Sequence, residues 1–415
     1  MKKTNRKRVL LLLPTTTYRA GAFMAAASRL NLNLVVGSDH RQSLAAFVGD
    51  TTLFLNFRQP ERCLAAIADA HFRAPFDAII GVDEETVEIA ARAAAQIGLP
   101  HNPVEAVRAA RYKHLFREKL TGAGLPQPKF HLFSGGDSAE KAAAQVDFPC
   151  VLKPVHLSAS RGVIRADSPA EFKAAWKLLR RFLARPSVKS RSLEFAEVVL
   201  VESYLEGKEV AVEGMLRDGR FTVFAIFDKP DPLVGPYFVE TIYVTPSRLS
   251  AVEQEAIREM TRRAAAALGL TNGPVHAELR LNSRGVWVVE LAARSIGGLC
   301  SRVLRFEDGQ MLEDVLLRQA VNDLPKIPRR EAAAAAVMMM PVEKSGVLRS
   351  VENVEAARQV TGVEEVIVSI PPNREVQALP EGHQYLGFIF ARAEQPQQAE
   401  EAVREAFSRL EVRIE

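Results

Sequence analysis

Cysteine is scarce in this sequence of 415 residues. The three cysteines, Cys63, Cys150 and Cys300, lie far apart and form neither a CxxC pair nor a Cys/His cluster. This spacing argues against a disulfide framework and against a structural zinc site. We therefore predict a protein of the reducing cytoplasm.

A large charge of one sign is also lacking. The chain has 54 basic and 50 acidic residues, a net charge of +4, and these charges are spread over both halves. Proteins that bind nucleic-acid phosphates concentrate lysine and arginine in an arm or patch. Nucleic acid is therefore not expected as the main ligand.

Long apolar runs are absent too. The start of the chain, MKKTNRKR followed by VLLLL, imitates a signal peptide, but the run ends at Pro14 and has no small-residue cleavage pattern. The longest other apolar stretch, residues 332–342, is much shorter than the roughly 20 residues that span a bilayer. We predict no membrane segment and interpret residues 9–13 as a buried strand.

Two common nucleotide-binding motifs are missing. Neither GxGxxG nor GxxxxGK[ST] occurs in the N-terminal part of the chain. These motifs bring glycine backbone against the phosphates of a dinucleotide or a nucleoside triphosphate. A dehydrogenase and a P-loop protein therefore lose their main support.

The N-terminal part of the chain alternates short apolar runs with helical patterns. The predicted strands are residues 9–13, 34–36, 52–55 and 78–80, and the predicted helices are residues 21–30, 61–70 and 84–97. Strands that alternate with helices of 10 to 15 residues indicate a parallel sheet. We predict a doubly wound parallel α/β domain over residues 1–110.

The middle of the chain has explicit helix starts and longer strands. Ser168 and Ser250 are each followed three residues later by Glu, the capping-box pattern. Strands are predicted at residues 198–204, 209–217 and 221–228, the last two joined by a turn, so this sheet is antiparallel. Residues 180–197 are basic and turn-rich, and we predict a flexible surface loop there.

A second hairpin carries two carboxylates. Residues 274–281 and 286–290 are predicted strands, with Glu278 on the first and Glu290 on the second. If the register places both side chains on one face, the carboxylates repel each other unless a cation lies between them, and a hard divalent metal fits that need. The alternative is two solvated strand carboxylates.

The last part of the chain, residues 331–415, is predicted to be a smaller α+β unit that acts as a lid. Its predicted strands are residues 332–340, 364–370 and 386–393, and its predicted helices are residues 354–359 and 398–410. Residues 111–330 are left as the central domain, which contains the caps and both hairpins.

Lys153 follows the apolar run of residues 148–152, which is a costly place for an ammonium group unless an anion meets it. The small residues that come next, at positions 158–162, can bring backbone amides against phosphate oxygens. Together these features suggest a nucleoside triphosphate as ligand.

Three ordered stretches make the sequence resemble the ATP-grasp superfamily of carboxylate-amine ligases over essentially its whole length. They are RYK at 111–113 with GLPQP at 124–128, PCVLKP at 149–154 with SRGV at 160–163 and VESYLEGKE at 201–209, and GPVHAE at 273–278 with VELAARSIGG at 289–298. The resemblance implies an ATP-grasp fold of three parts, with the central domain as the grasp, and ATP with Mg²⁺ or Mn²⁺ as cofactors.

The same resemblance implies a role for each matching residue. The implied nucleotide-binding residues are Lys113, Lys153, Ser160, Gly162, Glu202, Ser203, Leu205, Glu209 and Lys229. Lys113 and Lys153 would bind the α- and β-phosphates, and residues 158–163 would close over the β- and γ-phosphates. Glu202 would lie at the edge of the adenine and Glu209 would accept hydrogen bonds from the ribose.

Catalytic and metal roles follow in the same way. Glu278 and Glu290 would hold the metal, while Arg294 and Lys153 would stabilise charge on the transferred phosphoryl group. The weaker substrate candidates are His276, Glu240, Gly297 and Gly298. The alternative for His276 is a structural histidine whose ring is hydrogen-bonded within the fold.

One position departs from the family pattern. Ala292 stands where the ExNxR loop usually has Asn, so an expected ligand of a second metal is missing. Either one metal is held more loosely or water replaces the amide. The AAR sequence is reminiscent of the branch that contains the L-amino acid ligases.

These features favour an ATP-dependent ligase that forms an amide bond between a carboxylate and an amine, both small molecules such as amino acids. Such a protein would need neither nucleic acid nor a membrane, and it is compatible with a homodimer. Two alternatives stay open: a carboxylase or ligase related to biotin carboxylase or to the purine-pathway enzymes, and a non-catalytic nucleotide-binding regulator.

Overall fold

The computed structural model describes residues 6–15, 17–40, 51–189, 194–382 and 384–415. Its first elements are β1 (Arg8–Leu13), α1 (Ala20–Arg29), β2 (Asn33–Ser38), β3 (Thr52–Phe54), α2 (Pro60–Arg73), β4 (Ala78–Gly81) and α3 (Val87–Gln96). The strands form a parallel sheet in the order β3-β2-β1-β4. Leu11 of β1 packs with Phe23 of α1, whereas Leu10 packs with Ile67 of α2. Helices therefore cover both faces, which confirms the predicted doubly wound sheet.

A small antiparallel sheet follows. Its elements and the helices before it are α4 (Val104–Arg111), α5 (Lys113–Gly122), β5 (Phe130–Phe133), α6 (Ala139–Ala143), β6 (Cys150–Pro154), β7 (Ile164–Ala166), α7 (Pro169–Leu183), α8 (Pro186–Lys189) and β8 (Val199–Ser203). The strand order is β5-β8-β6-β7. Ser168 caps α7 by accepting a hydrogen bond from the amide of Glu171, and the apolar face of α7 packs on this sheet.

The prediction of a loop over residues 180–197 is wrong for the first half of that range. Helix α7 continues to Leu183, and the short helix α8 follows. Leu179, Phe182 and Val188 are buried in the core of the small sheet, so apolar side chains at helical spacing outweigh the basic composition. Residues 190–193 lie outside the described residues.

The large sheet has eight strands. The elements that build it and its surroundings are β9 (Lys208–Arg217), β10 (Arg220–Asp228), β11 (Ile242–Thr245), α9 (Ala251–Leu268), β12 (Gly273–Asn282), β13 (Gly285–Ala292), α10 (Leu312–Ala320), β14 (Ala334–Met340), β15 (Gly346–Glu352), α11 (Val354–Arg358), β16 (Val363–Val368), β17 (Arg374–Val376), β18 (Gly387–Ala393), α12 (Pro396–Ser408) and β19 (Glu411–Ile414). The order in the sheet is β13-β12-β9-β10-β11-β14-β18-β16. Strands from beyond residue 330 therefore extend the same sheet as the central strands.

A fourth sheet, in the order β17-β15-β19, was not predicted from the sequence. Its two edge strands are short: β17 has three residues and β19 has four. Short edge segments of this kind carry too few alternating positions to stand out from a turn.

The two faces of the large sheet differ, and this difference positions the site. Val210 and Val212 of β9 and Leu279 of β12 pack against α9, whose start has the Ser250 capping box. Because side chains alternate along a strand, the positions between them face the opposite way. Those positions carry Glu209, Glu213, His276, Glu278 and Arg280.

Among the residues described above, no helix has both the length and the apolar character that are needed to cross a bilayer.

Candidate active site

A cavity of about 300 Å³ is lined by the small sheet, the polar face of the large sheet and the loop after β4. It collects almost all of the predicted site residues: Lys113, Lys153, Ser160, Glu202, Ser203, Leu205, Glu209, Glu240, His276, Glu278, Glu290, Arg294, Gly297 and Gly298. Gly162 and Lys229 do not line it. Lys229 lies directly behind the wall, where it contacts three of the lining carboxylates.

The register of β12 and β13 brings the two predicted metal carboxylates together. Glu278 lies directly opposite Glu290, and a bulge follows at Glu278/Leu279. Paired residues of an antiparallel ladder project from the same face of the sheet. The two carboxylates therefore lie on one face, which is the arrangement that a shared metal ion requires. Glu290 forms an ion pair with Lys113 at 3.2 Å, and the Lys113 ammonium also donates to the carbonyl of Leu157 at 2.8 Å.

Lys229 neutralises a group of three partly buried carboxylates. Its Nζ lies 2.8 Å from Glu209, 2.5 Å from Glu240 and 3.5 Å from Glu278. Burial by itself lowers the pKa of Lys229, but Glu209 and the other carboxylates raise it well above its ordinary value. The oxygens of the three carboxylates lie within 4.8 Å of one another, so one further cation is within their reach.

The residues present fit a hard metal ion at Glu278. Burial raises the pKa of Glu278 to about 8 against the opposing effect of Lys229, with Glu240 and Glu209 adding to the rise. The charged form of such a carboxylate is stabilised by further positive charge nearby. A divalent ion bound by Glu278 and Glu290 would supply that charge. Ala292 continues the same face of β13 and offers no side-chain oxygen.

Glu202 sits between two cations in the cavity wall. Its oxygens lie 2.6 Å from Lys153 Nζ and 2.6 Å from Arg117 Nε, and its side chain is almost fully buried. Burial raises the pKa of Glu202, but Arg117 and Lys153 overcome that effect and lower it to about 2. Arg117 also donates to the carbonyls of Val288 and Val289 in β13, so it joins the small sheet to the large one.

Sequence reasoning missed Arg117, although a signal was there. Lys113 and Arg117 are four residues apart at the start of α5, and such residues share one face of a helix. It also missed Arg280, which follows Glu278 by two residues on the same strand face and binds Glu209 at 2.7 Å.

Arg294 and His276 are held by residues that the sequence did not single out. Arg294 Nε donates to Glu84, in the loop after β4, at 2.7 Å. Nδ1 of His276 lies 3.2 Å from the fully buried Glu213, which also accepts a hydrogen bond from the amide of Ile296. Nε2 of His276 lies 3.9 Å from Glu278. The histidine therefore has a structural partner on one side and the site on the other.

In the loop after β6, the backbone of Gly162 lies close against neighbouring side chains. Gly162 has φ +69°, and a Cβ there would lie 2.8 Å from Pro154 Cγ and 2.9 Å from Leu179 Cδ1, so a side chain would not fit without displacement. Its amide donates to the carbonyl of Pro380 at 2.8 Å. The loop is thereby in contact with the C-terminal part of the chain.

Comparisons with known proteins agree with this arrangement. The ATP-grasp domain model matches residues 146–303, the ATP-grasp N-terminal domain model matches residues 24–101, and the model for L-amino acid ligase C-terminal domain 2 matches residues 338–415. Alanine–anticapsin ligase of Bacillus subtilis is 26% identical over 323 residues, which cover 73% of this chain and 68% of that protein. D-alanine–D-alanine ligase of Aromatoleum aromaticum is 30% identical over 176 residues, covering 41% of this chain and 52% of the relative.

Among solved structures, the L-amino acid ligase of Bacillus licheniformis superposes with a TM-score of 0.85 over 99% of both chains, at 24% identity. This match establishes the shared fold and confirms the predicted ATP-grasp architecture. The chain belongs to the ATP-grasp family of ligases, in the branch that carries an L-amino acid ligase C-terminal domain.

Proposed function

We propose that this protein is an ATP-dependent ligase that joins a carboxylate to an amine and releases ADP and phosphate. A carboxylate oxygen attacks the γ-phosphorus, and the bond to the β-phosphate oxygen breaks with its electron pair leaving on ADP. The amine then attacks the acyl carbon, displaces phosphate and loses one proton to the solvent. The observation that carries the proposal is one cavity that collects Lys113, Lys153, Glu278, Glu290 and Arg294.

These groups suit phosphoryl transfer because it needs positioning and charge stabilisation more than a nucleophilic side chain. In the proposed arrangement Lys113 and Lys153 bind the phosphates. Each lysine then replaces some of its contacts with Glu290 or Glu202 by contacts with phosphate oxygens. Arg294, held by Glu84, stabilises charge on the transferred group.

The remaining nucleotide contacts follow from the cavity wall. Ser160 and Gly162 belong to the loop that covers the phosphates. Glu202, with the backbone of Ser203 and Leu205, borders the base, and Glu209 faces the ribose. Glu278 and Glu290 hold Mg²⁺ or Mn²⁺, which supplies positive charge to the phosphates when bound.

Amino acids are the proposed substrates. The C-terminal domain match and the relatives named as amino acid ligases support this class. On the substrate side, Glu240 and His276 offer polar contacts, while Gly297 and Gly298 leave backbone accessible along the same wall. The three buried, unpaired cysteines are consistent with work in the reducing cytoplasm.

Trapping of the intermediate tests the proposal. With ATP, Mg²⁺ and one amino acid, hydroxylamine should intercept the acylphosphate and give a hydroxamate with one ADP per hydroxamate. Reactions without amino acid, and a Glu290→Gln variant that lacks one metal carboxylate, serve as controls and should give none. Release of AMP and pyrophosphate would contradict γ-phosphoryl transfer. ADP release that depends on bicarbonate would indicate a carboxylase, and no turnover with any amino acid would indicate a regulator.

A further inference from the structure

Arg19 is a buried cation that lies outside the cavity described above. It is 1% exposed and stands at the N-terminal cap position of α1, in the N-terminal part of the chain. The N-terminus of a helix carries a partial positive charge, so a cation is unfavourable there, and burial adds to that cost. The charge therefore gains nothing from α1 itself, and the reason for an arginine at this position lies in its partners.

The guanidinium of Arg19 bridges two later segments of the chain. Its Nη1 donates to Ser295 Oγ at 2.6 Å, and its Nη2 forms an ion pair with Glu313 of α10 at 3.0 Å. Glu313 also accepts a hydrogen bond from Ser301 at 2.7 Å, and both Ser295 and Glu313 are buried. Glu313 therefore holds one end of the guanidinium, and the other end is directed at Ser295.

Ser295 connects Arg19 to the predicted catalytic arginine. Its carbonyl accepts a hydrogen bond from Nη1 of Arg294 at 3.0 Å, while Nε of Arg294 donates to Glu84 at 2.7 Å. Ser295 thus receives one hydrogen bond from each arginine, at Oγ from Arg19 and at the carbonyl from Arg294. Because Glu84 also belongs to the N-terminal part of the chain, both contacts of the Arg294 guanidinium lead back to that part.

The residue after Ser295 is held as well. The amide of Ile296 donates to Glu213 at 2.9 Å, and the fully buried Glu213 also lies 3.2 Å from Nδ1 of His276. Burial raises the pKa of Glu213, while His276 and Arg19 act in the opposite direction. Arg19 therefore supplies positive charge to the carboxylate that holds Ile296, in addition to its own hydrogen bond to Ser295.

Stability alone does not explain this arginine. Desolvation of two buried charges offsets most of their attraction, and apolar side chains of similar volume often stabilise a fold equally well. The guanidinium carbon of Arg19 lies 5.0 Å from the ring centroid of Phe23, a packing contact that a long apolar side chain could also make. An apolar side chain could not donate a hydrogen bond to Ser295. That hydrogen bond is therefore the feature that requires the charged residue.

We propose that Arg19 is a positioning residue that fixes Ser295 and, through the Ser295 carbonyl, the guanidinium of Arg294. This inference rests on the proposed ligase function. Neither Arg19 nor Ser295 lines the cavity, so neither touches nucleotide or substrate directly. Arg294 stabilises charge on the transferred phosphoryl group, and such stabilisation depends on a donor that is already in place. Misplacement of a group by about 1 Å can lower the rate by roughly 10²-fold.

The Ser295→Ala variant separates positioning from stability. It removes the acceptor of Arg19 Nη1 but keeps the ion pair between Arg19 and Glu313. Hydroxamate formation is measured with Mg-ATP and one amino acid that the wild-type protein accepts. We expect kcat to fall by about 10-fold or more, while KM for ATP and for the amino acid changes by less than about 2-fold. The unfolding temperature should stay close to that of the wild type.

A second pair of variants and a control address the fold. Arg19→Met leaves the buried Glu313 without its counterion, so both kcat and the unfolding temperature should fall. Glu313→Gln added to Arg19→Met removes that charge and keeps an acceptor for Ser301; it should restore most of the unfolding temperature but not kcat. Arg29→Gln is the matched control, because it breaks the neighbouring pair with Asp314 at 2.8 Å between the same two helices. Its kcat should equal the wild-type value.

The contrary outcomes are distinct. Wild-type kcat in Ser295→Ala would overturn the positioning role, and so would recovery of kcat together with the unfolding temperature in the double variant. An equal loss of kcat in Arg29→Gln would assign the effect to packing of α1 on α10 and would also overturn it. If the wild-type protein forms no hydroxamate with any amino acid, the proposed ligase function fails. An active wild type with an equally active Ser295→Ala variant rejects the role of Arg19 alone.

Discussion

Replacement of Glu202 by Gln gives a sharp test of how the nucleotide site is held together. The carboxylate is 3% exposed and neutralises both Lys153 and Arg117, and Arg117 itself is 1% exposed. The amide of Gln keeps the shape but removes the charge, so two buried cations lose their counterion. Arg117 also donates hydrogen bonds to β13, so the substitution should destabilise the contact between the small sheet and the large sheet.

The size of the effect follows from the pKa. The pKa of Glu202 falls from its ordinary value of 4.5 to about 2 in the folded protein, a preference for the charged form worth roughly 3 kcal/mol. Removal of one partner of a buried ion pair costs about 3–5 kcal/mol, which agrees with that figure. We expect the free energy of unfolding to fall by about 3 kcal/mol at pH 7.

The pH dependence has a definite sign. Because the folded-state pKa is depressed, the stabilisation is complete above pH 4.5 and is lost as the pH falls towards 2. The Gln variant has no such group. The difference between wild type and variant should therefore be largest near neutrality and should shrink below pH 4.5.

Urea unfolding of the nucleotide-free protein, followed by tryptophan fluorescence, measures this difference. Trp176 lies in the core of the small sheet and Trp287 lies on β13, so Trp287→Phe and Trp176→Phe backgrounds report each side separately. Glu259→Gln, which breaks the exposed pair with Arg262, is the control and should change stability by less than about 1 kcal/mol. A loss below about 1 kcal/mol at both tryptophans, or a loss that is the same at pH 3 and pH 7, would refute the reasoning.

Three further substitutions and one effect of nucleotide binding probe the site. Arg294→Lys should lower turnover about 10²-fold or more, since a point charge cannot replace the planar fork, and near-normal steady-state rates would contradict this role. Glu290→Gln should abolish turnover while circular dichroism stays unchanged, and its metal affinity, measured by Mn²⁺ titration, should fall. Gly162→Ala should weaken ATP binding because its Cβ meets Pro154 at 2.8 Å, and calorimetry that shows normal affinity would argue against a tight loop. Mg-ATP should slow proteolysis between residues 158 and 165, and equal cleavage with and without nucleotide would argue against a mobile cover.

Much of the fold could be predicted from the sequence because local signals, such as helix caps and apolar periodicity, agree with the pattern of burial. The run of residues 9–13 forms the central strand β1, and Ser250 caps α9 through both hydrogen bonds of its capping box. The hairpin that carries Glu278 and Glu290 was predictable from alternation, but the pairing of the two carboxylates was not. The turn alone would place Val289 opposite Glu278, and a bulge between Glu278 and Leu279 shifts Glu290 into that position.

The rest of the site depends on contacts between distant parts of the chain. Glu84 meets Arg294, and Arg117 meets Glu202, only after separate sheets have packed together. Lone charged residues on loops and helices have the same pattern as solvated ones, so nothing local marked Glu84 or Glu213. The family resemblance identified the residues of the matching motifs but not the counterions that hold them.

The continuity of the large sheet has a consequence for synthesis of the protein. Strand β11, whose four residues are all buried, pairs on one side with β14, and β14 in turn pairs with β18. On a ribosome, β11 emerges roughly ninety residues before β14, and β18 follows later still. Until then the growing chain presents an unpaired apolar strand edge, which is a template for association with other chains. Met339 of β14 and Tyr385, which precedes β18, also line the cavity, so its wall is completed only after these later segments have been synthesised. We expect the nascent chain to depend on chaperones that shield such edges.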